Sequence, residues 1–599
     1  AVLSSRKTKS HAAPASLIPP KVLWSQRPLW PVLTYLLGLL PICLLWNGNN
    51  AFYLDWNNHL WIIGYFGEYF RRHWSFPITL NTEQLGGIPF PVFYGYLFYP
   101  AAGLISAFTG SSFALRLVCS LVFLLQVRQV SKTVQMIAGS RFVSCAVTIL
   151  VSFATYPLTN LYNRAAITEF LAVSLVISVC MMWLRIVQRN NSRLISGAAL
   201  ALAFAMGTHP ITAILGCLMI CFAILASWPL PRNLWKPLGW AVALVSLVMA
   251  PWIYAVALYG GKVQLSGGPI NFFPNTLDHF GTRFWPLPWD PRLGTAEGRL
   301  WGTPYLDTQI NFALLILAAF LLFRANRSGR EFRIAAAALA GFALVSFLSV
   351  FQPAWRLIPR ALHFIQFAYR LVTYADLFLL FAVLFLLAAL RRKTTALPDG
   401  PLLAALAVCL VFATAGVSIK LLHAHAVEEP NTLAGSGWPN TNRDALRSLP
   451  PHFYGWYSYA VKSGSRGLLA DSAIPPVTVT FPIGTQESFG DTLPAPLPAG
   501  EYTRLRTDIQ IFPWNRILWN GREIPFEETF TDKTSVAIVD GKPETGTLEY
   551  ALRPDPVWTL LRILSLWTAV LWALALCLRS YGSTRIRKAS ETTSPGFLT

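Results

Sequence analysis

Charged residues are scarce in this chain. They make up 13% of its 599 residues, where soluble globular proteins carry about 25%. A soluble chain of this length would divide into about four domains, and each would need more surface charge than is present. Acidic residues are the rarer sign, with 28 Asp+Glu against 48 Lys+Arg and a formal net charge of +20. That excess does not point to nucleic acid, because the basic residues fall in short clusters between apolar runs. Cysteine is absent from the polar region 421–556; all eight lie in apolar stretches, which excludes a disulfide-framed domain there. Cys217 and Cys221 share a helix face, but no His or further Cys joins them, so they read as packing residues. GGKVQLSGG (260–268) lacks the strand and helix that a nucleotide-binding glycine loop needs. No internal repeat is visible.

What is abundant is apolar. Hydrophobic residues make up 54% of the chain, and the mean hydropathy is +0.46. Runs long enough to cross about 30 Å of hydrocarbon fall near 29–47, 114–131, 142–159, 167–187, 193–208, 210–228, 236–259, 308–324, 332–350, 371–390, 400–420 and 557–578. The run 96–110 is short and interrupted by Pro100, Gly103 and Gly110. Charge decides how to treat it. If 96–110 does not cross, one side collects Arg6 to Arg27, Arg128 to Arg141, Arg185 to Arg193, Arg232 and Lys236, Arg324 to Arg333, Arg391 to Lys393, and Arg579 to Lys588. The positive-inside rule makes that side cytoplasmic. The expected fold is a polytopic α-helical membrane protein of about twelve transmembrane helices, with 96–110 as an outward juxtamembrane or re-entrant helix.

The expected organisation follows from these spans. Residues 1–27 form a basic cytoplasmic N-terminus, and 28–420 a transmembrane domain with outward loops 48–113, 260–307 and 351–370. Residues 421–556 form an extracytoplasmic β-sandwich-like domain, predicted from alternation in VTVTF (477–481), TDIQIF (507–512) and SVAIVD (535–540) and from the turn signal WNGRE (519–523). A last transmembrane helix, 557–578, precedes a basic cytoplasmic tail, 579–599. Within the first loop, residues 55–74 carry an aromatic stripe with Glu68, Arg71 and Arg72 to one side, which suits an interfacial amphipathic helix.

The unusual polar residues collect on the outward side. Asp55 and His59 are four apart, on one helix face. Arg164 and Glu169 flank the outward turn after the third span. His209 sits in the break THP. Arg356, Arg360, His363, Gln366 and Arg370 precede the tenth span, and Asp376 lies just inside it. Ionisable groups at a membrane boundary are costly in lipid and are functional candidates by default. Each also has a plainer reading: Asp55 as a helix cap, His59 as packing, Glu169 as a partner for Arg164, His209 as a turn residue, and the arginines as contacts to interfacial lipid. Together they suit glycosyl transfer from a lipid phosphate. A carboxylate deprotonates the acceptor hydroxyl, and arginines neutralise the departing phosphate.

LDWNNH (54–59), GGIPFPVFYGYLFYP (86–100), NRAAITEF (163–170) and IQFAYR (365–370) together resemble the GT-C superfamily of integral-membrane glycosyltransferases. The likeness is greatest to the bacterial membrane proteins labelled "6-pyruvoyl-tetrahydropterin synthase-related", although no zinc-binding His set supports the pterin chemistry in that label. The resemblance covers roughly 28–420 and the final helix. It implies a polyprenyl-phosphate-linked sugar donor, a glycan, lipid-linked or protein acceptor, and a multi-pass protein of the bacterial cytoplasmic membrane whose site and β domain face outward. It implies Asp55 and Glu169 as catalytic acids, with His59, Arg164, His209, Arg356, Arg360, His363, Gln366 and Arg370 as substrate-binding residues. Asn57 stands where the family's D-x-D form has a second acid. Asn is a poorer ligand for a hard cation than a carboxylate, so no obligatory cofactor is expected, with Mg or Mn an optional one. Two other classes compete: a lipid-linked glycan transporter, which favours repeats and midplane charges, and a non-catalytic envelope assembly protein.

Overall fold

The computed structural model describes residues 24–48, 52, 55–78, 89–260, 283–288, 306–358, 365, 367–393, 398–428, 477–480, 502–510, 512–528, 534–540 and 545–592. Among these, the helices of ten residues or more are α1 (Leu29–Gly38), α2 (Asp55–His73), α3 (Phe98–Thr109), α4 (Ser111–Ala138), α5 (Arg141–Ser152), α6 (Ile167–Arg189), α7 (Arg193–Thr208), α8 (Pro210–Ala226), α9 (Trp235–Tyr259), α10 (Phe312–Arg324), α11 (Arg330–Val350), α12 (Val372–Lys393), α13 (Gly400–Ala426) and α14 (Pro556–Thr592).

Among the described residues, seven helices are long and apolar enough to cross a membrane, or nine if two bent pairs each count as one span. The two bent pairs fall in the runs 29–47 and 142–159. Leu29–Gly38 turns by 49° into the tighter helix Leu40–Trp46, and Arg141–Ser152 turns by 50° into Thr155–Asn163. Pro41 and Pro157 account for both, since proline lacks the N–H and its ring clashes with the carbonyl four residues back. The runs 193–208, 210–228 and 308–324 appear as shorter apolar helices. So does 96–110: at twelve residues, α3 is about 18 Å long, well short of the hydrocarbon thickness.

Burial sorts the helices. In α6, 94% of the apolar window is enclosed by protein, against 11% in the last span, so α6 is the bundle's centre and α14 its rim. Trp567, Leu571 and Leu578 on α14 are exposed, an apolar surface that suits lipid rather than water. The amphipathic helix expected at 55–74 is α2. Its Trp56–Gly67 stretch is largely buried, while Arg72 Nε donates to Glu68 Oε1 at 2.8 Å on the exposed end. α2 packs against α3 at a crossing of two glycines. A Cβ on Gly103 would stand 2.5 Å from Phe66 Cβ, and one on Gly67 would stand 3.0 Å from the Gly103 carbonyl. Only hydrogen fits there.

The strands expected between 477 and 540 are present. β1 (Val477–Thr480), β2 (Tyr502–Gln510), β3 (Asn515–Trp519), β4 (Arg522–Ile524), β5 (Phe526–Glu528), β6 (Thr534–Asp540) and β7 (Thr545–Leu552) form two antiparallel sheets, ordered β1-β7-β3-β4 and β2-β6-β5. The turn signal WNGRE closes the β3–β4 hairpin. Asn520 and Gly521 have φ of 49° and 76°, the double positive φ of the two-residue turn that matches strand twist. Phe512 and Trp514 pack with Phe93, Ala255 and Trp558, seating the start of β3 on the helical bundle. The polar region placed from 421 onward instead begins inside a helix, because α13 runs to Ala426.

Candidate functional site

The site is built around a single carboxylate. Glu169 opens α6, and its side chain is 2% exposed. Both its oxygens are engaged: Tyr156 Oη and Asn160 Nδ2 donate to Oε1 at 2.9 and 3.1 Å, while Arg164 Nη1 and Arg370 Nε donate to Oε2 at 3.2 and 3.1 Å. Backbone geometry makes this convergence. Thr159–Asn163 forms a π-helical turn in which Arg164 N donates to Thr159 O at 2.8 Å. Such widened turns re-aim side chains and recur at functional sites. Here the turn brings Arg164 Nη1 within 2.6 Å of Asn160 Oδ1. Ala165, with φ of 49°, then reverses the chain into α6.

Arg370 arrives from the other half of the sequence, in the turn Ala368–Leu371 that leads into α12. Its Nη1 donates to Ile365 O at 2.9 Å, and Phe367 stacks on its guanidinium at 5.1 Å. Tyr369 lies between two other cations, with Arg164 5.0 Å and Arg283 5.7 Å from its ring.

Asp55 begins α2, where the helix dipole favours an anion. Asn58 Nδ2 donates to Asp55 Oδ1 at 3.2 Å. Burial pushes the carboxyl pKa up to about 6, against the opposing charges of Arg164 and Arg370 and the Asn58 hydrogen bond. Asp55 thus shares the electrostatic environment of the Glu169 cluster. His59, one turn on, hydrogen-bonds Tyr99 Oη through Nδ1 at 2.9 Å. Burial holds its pKa down to about 3, against a hydrogen bond to the Ala165 backbone. It is a neutral tie between α2 and the Arg164 turn.

His209 caps α8, its Nδ1 accepting from Thr212 N at 3.2 Å, and its ring meets Tyr94 edge-on at 5.7 Å. The Tyr94 hydroxyl in turn pairs with Thr168 Oγ1. The structure therefore gathers Asp55, His59, Arg164, Glu169, His209 and Arg370. Arg356 is exposed on the turn Gln352–Leu357, away from that buried setting. Arg360, His363 and Gln366 lie outside the described residues. Asp376 Oδ1 accepts from Asn311 N at 2.7 Å, so it holds the segment entering α10.

Several residues escaped sequence reasoning. Tyr94, Tyr156, Asn160 and Tyr369 sit inside aromatic or polar stretches that look like ordinary boundary sequence. Arg283 is 1% exposed and bonds Thr308 Oγ1. Asp307, fully enclosed, pairs with Lys420 Nζ at 2.6 Å and His423 Nδ1 at 3.0 Å. Lys420 was legible as the lone charge in an apolar span, and LDTQIN (306–311) as an uncommonly polar lead into α10. Among the described residues, no group of three or more His, Cys, Asp or Glu side chains is arranged to hold a metal ion.

No family model, curated protein or solved structure matches this chain.

Proposed function

We propose that this chain is a membrane glycosyltransferase that moves a sugar from a polyprenyl-phosphate donor to a glycan, lipid-linked or protein acceptor at the outer face of the bacterial cytoplasmic membrane. One observation carries the reading: Arg164 and Arg370 both pair with Glu169 Oε2, at 3.2 and 3.1 Å, and both also act electrostatically on the Asp55 carboxyl at the start of α2. With Asp55 and Glu169 ionised, the four side chains are neutral in sum; when Asp55 takes a proton, one positive charge is left over. That is the charge change an incipient phosphate needs.

In the proposed step the acceptor hydroxyl gives its proton to Asp55. Its oxygen attacks the anomeric carbon, and the bond from that carbon to the phosphate oxygen breaks with its electron pair leaving on polyprenyl phosphate. Arg164 and Arg370 stabilise the leaving group. Glu169, its oxygens already shared among four donors, positions them. Direct displacement inverts the anomeric centre.

The fold is read accordingly. Counting the bent pairs and the three shorter apolar helices α7, α8 and α10 with the long ones gives twelve crossings. Both described ends of the bundle then share the side of the basic clusters, and the site lies opposite. The competing reading, a lipid-linked glycan transporter, draws on the enclosed Asp307–Lys420 pair. The test is release of polyprenyl phosphate and labelling of native membranes from a panel of polyprenyl-phosphate sugars. Transfer that Asp55→Asn abolishes supports the enzyme; glycan translocation without bond cleavage supports the transporter.

A further inference from the structure

Thr159 opens the π-helical turn and is fully buried. Its hydroxyl oxygen lies 3.3 Å from Thr155 O, the carbonyl one turn back, and 2.6 Å from Asp307 O. A threonine within a helix ordinarily bonds the carbonyl four residues back, and a hydroxyl has one hydrogen to give. The shorter contact takes it, so the side chain is committed to a segment 148 residues away in sequence. The carbonyl of Thr159 meanwhile accepts from Arg164 N at 2.8 Å. Thr159 is therefore bonded at both ends, to Asp307 through its side chain and to the Arg164 backbone through its main chain.

Residues 306–311 run into α10 without helix or strand, and they are fastened to three helices. Asp307 Oδ2 accepts from Lys420 Nζ on α13 at 2.6 Å. Asn311 N donates to Asp376 Oδ1 on α12 at 2.7 Å, and Asn311 Nδ2 to Leu150 O on α5 at 2.8 Å. Leu306 and Ile310 pack with Tyr156 and Tyr369. Both tyrosines meet Arg164: its Nη1 donates to Tyr156 Oη at 3.3 Å, and its guanidinium lies 5.0 Å from the Tyr369 ring. The segment thus bears on Arg164 from two directions, on its backbone through Thr159 and on its guanidinium through the two rings.

We propose that Thr159 is a positioning residue for Arg164 in the transfer step. The inference rests on the proposed function, in which Arg164 stabilises the departing phosphate. Misplacing such a group by about 1 Å costs about 10²-fold in rate. Without the hydroxyl the turn keeps its bond from Arg164 N but loses its tie to Asp307.

The test uses the full chain in native membranes, supplied with a polyprenyl-phosphate sugar that the wild type cleaves, and follows transfer at varied donor concentration. Thr159→Val keeps the shape of the side chain and loses the hydroxyl. It should lower kcat and kcat/KM together by about tenfold, with the donor KM unchanged. Thr159→Ser, which keeps the hydroxyl, should recover most of the loss. In an Arg164→Lys background Thr159→Val should have little further effect, because the group it positions is gone. A merely structural role gives the same fractional loss in both backgrounds; that result, or wild-type kinetics in Thr159→Val, overturns the assignment. Thr159→Ala makes the same comparison if Thr159→Val does not fold. A wild type that cleaves no donor overturns the proposed function itself, and this inference with it.

Discussion

Arg370 Nε donates to Glu169 Oε2 at 3.1 Å across 201 residues of sequence. This bond joins the entrance of α12 to the entrance of α6, the two most enclosed of the long apolar helices among the described residues. It makes the cluster a property of the bundle's centre and not of one loop.

Breaking one partner of that cluster leaves a buried charge uncompensated, which costs about 3–5 kcal/mol. Glu169→Gln should therefore lower the melting temperature in detergent sharply. Glu169→Gln combined with Arg370→Met should recover part of the loss. Additive single and double losses in a thermal cycle would mean that the two residues do not act as a pair.

Asp55→Asn should reduce sugar transfer by about 10²–10⁴-fold, the usual contribution of a general base, with expression unchanged. The wild-type rate should rise about tenfold per pH unit up to about pH 6, where Asp55 ionises, and level off above. A rate with no such limb removes Asp55 as the base.

The same carboxyl has a stability consequence. Its folded pKa is raised from 3.8 to about 6, so its favourable contribution is complete below the unfolded value and is lost as pH rises through the folded one. At neutral pH the ionised Asp55 therefore burdens the fold, and Asp55→Asn should raise the melting temperature at pH 7 by about 2 °C. At pH 3.5 the variant and wild type should melt together. Scanning calorimetry or fluorescence melts at the two pH values separate the outcomes.

Gly103→Ala should disturb α2 without touching a charged group. Its Cβ would sit 2.5 Å from Phe66 Cβ, and overpacking of this kind costs about 1–3 kcal/mol. Transfer should fall with stability, since α2 carries Asp55. A variant with wild-type melting and full activity would show that α2 and α3 separate freely.

Asp307→Asn should cost as much as Glu169→Gln, because it strands Lys420 in a fully enclosed setting. Asp307→Asn with Lys420→Met should restore stability. If the double variant also keeps transfer, the pair is structural; if it folds and loses transfer, the segment before α10 belongs to the working site.

Much of the fold was legible because membrane helices and hairpins are local devices. The hydropathy runs anticipated α4, α6, α9 and α12, and Asn520–Gly521 announced its turn. The bends at Leu39 and Phe153 were less visible, since each proline lies inside a run that remains apolar throughout. Among site residues, Asp55, Arg164, Glu169, His209 and Arg370 stood out because polar groups are rare at a membrane boundary. Tyr156, Asn160 and Arg283 did not, because their importance comes only from what they meet.

The sequence by itself determined a membrane-embedded bundle, the clustering of its basic residues between apolar runs, an amphipathic helix opening on Asp55, and a strand-rich segment before the last span. Composition and periodicity act through solvent, residue by residue, and need no partner to be read. Only the tertiary structure decided that Glu169 would hold two arginines, that Asp307 would hold Lys420, and that Arg562 would tie the last helix to the carbonyls of Phe76 and Pro77. Those are contacts between helices distant in sequence, set by a π-helical turn, two glycines at a helix crossing and the packing around α6, where the position of each side chain depends on all the others.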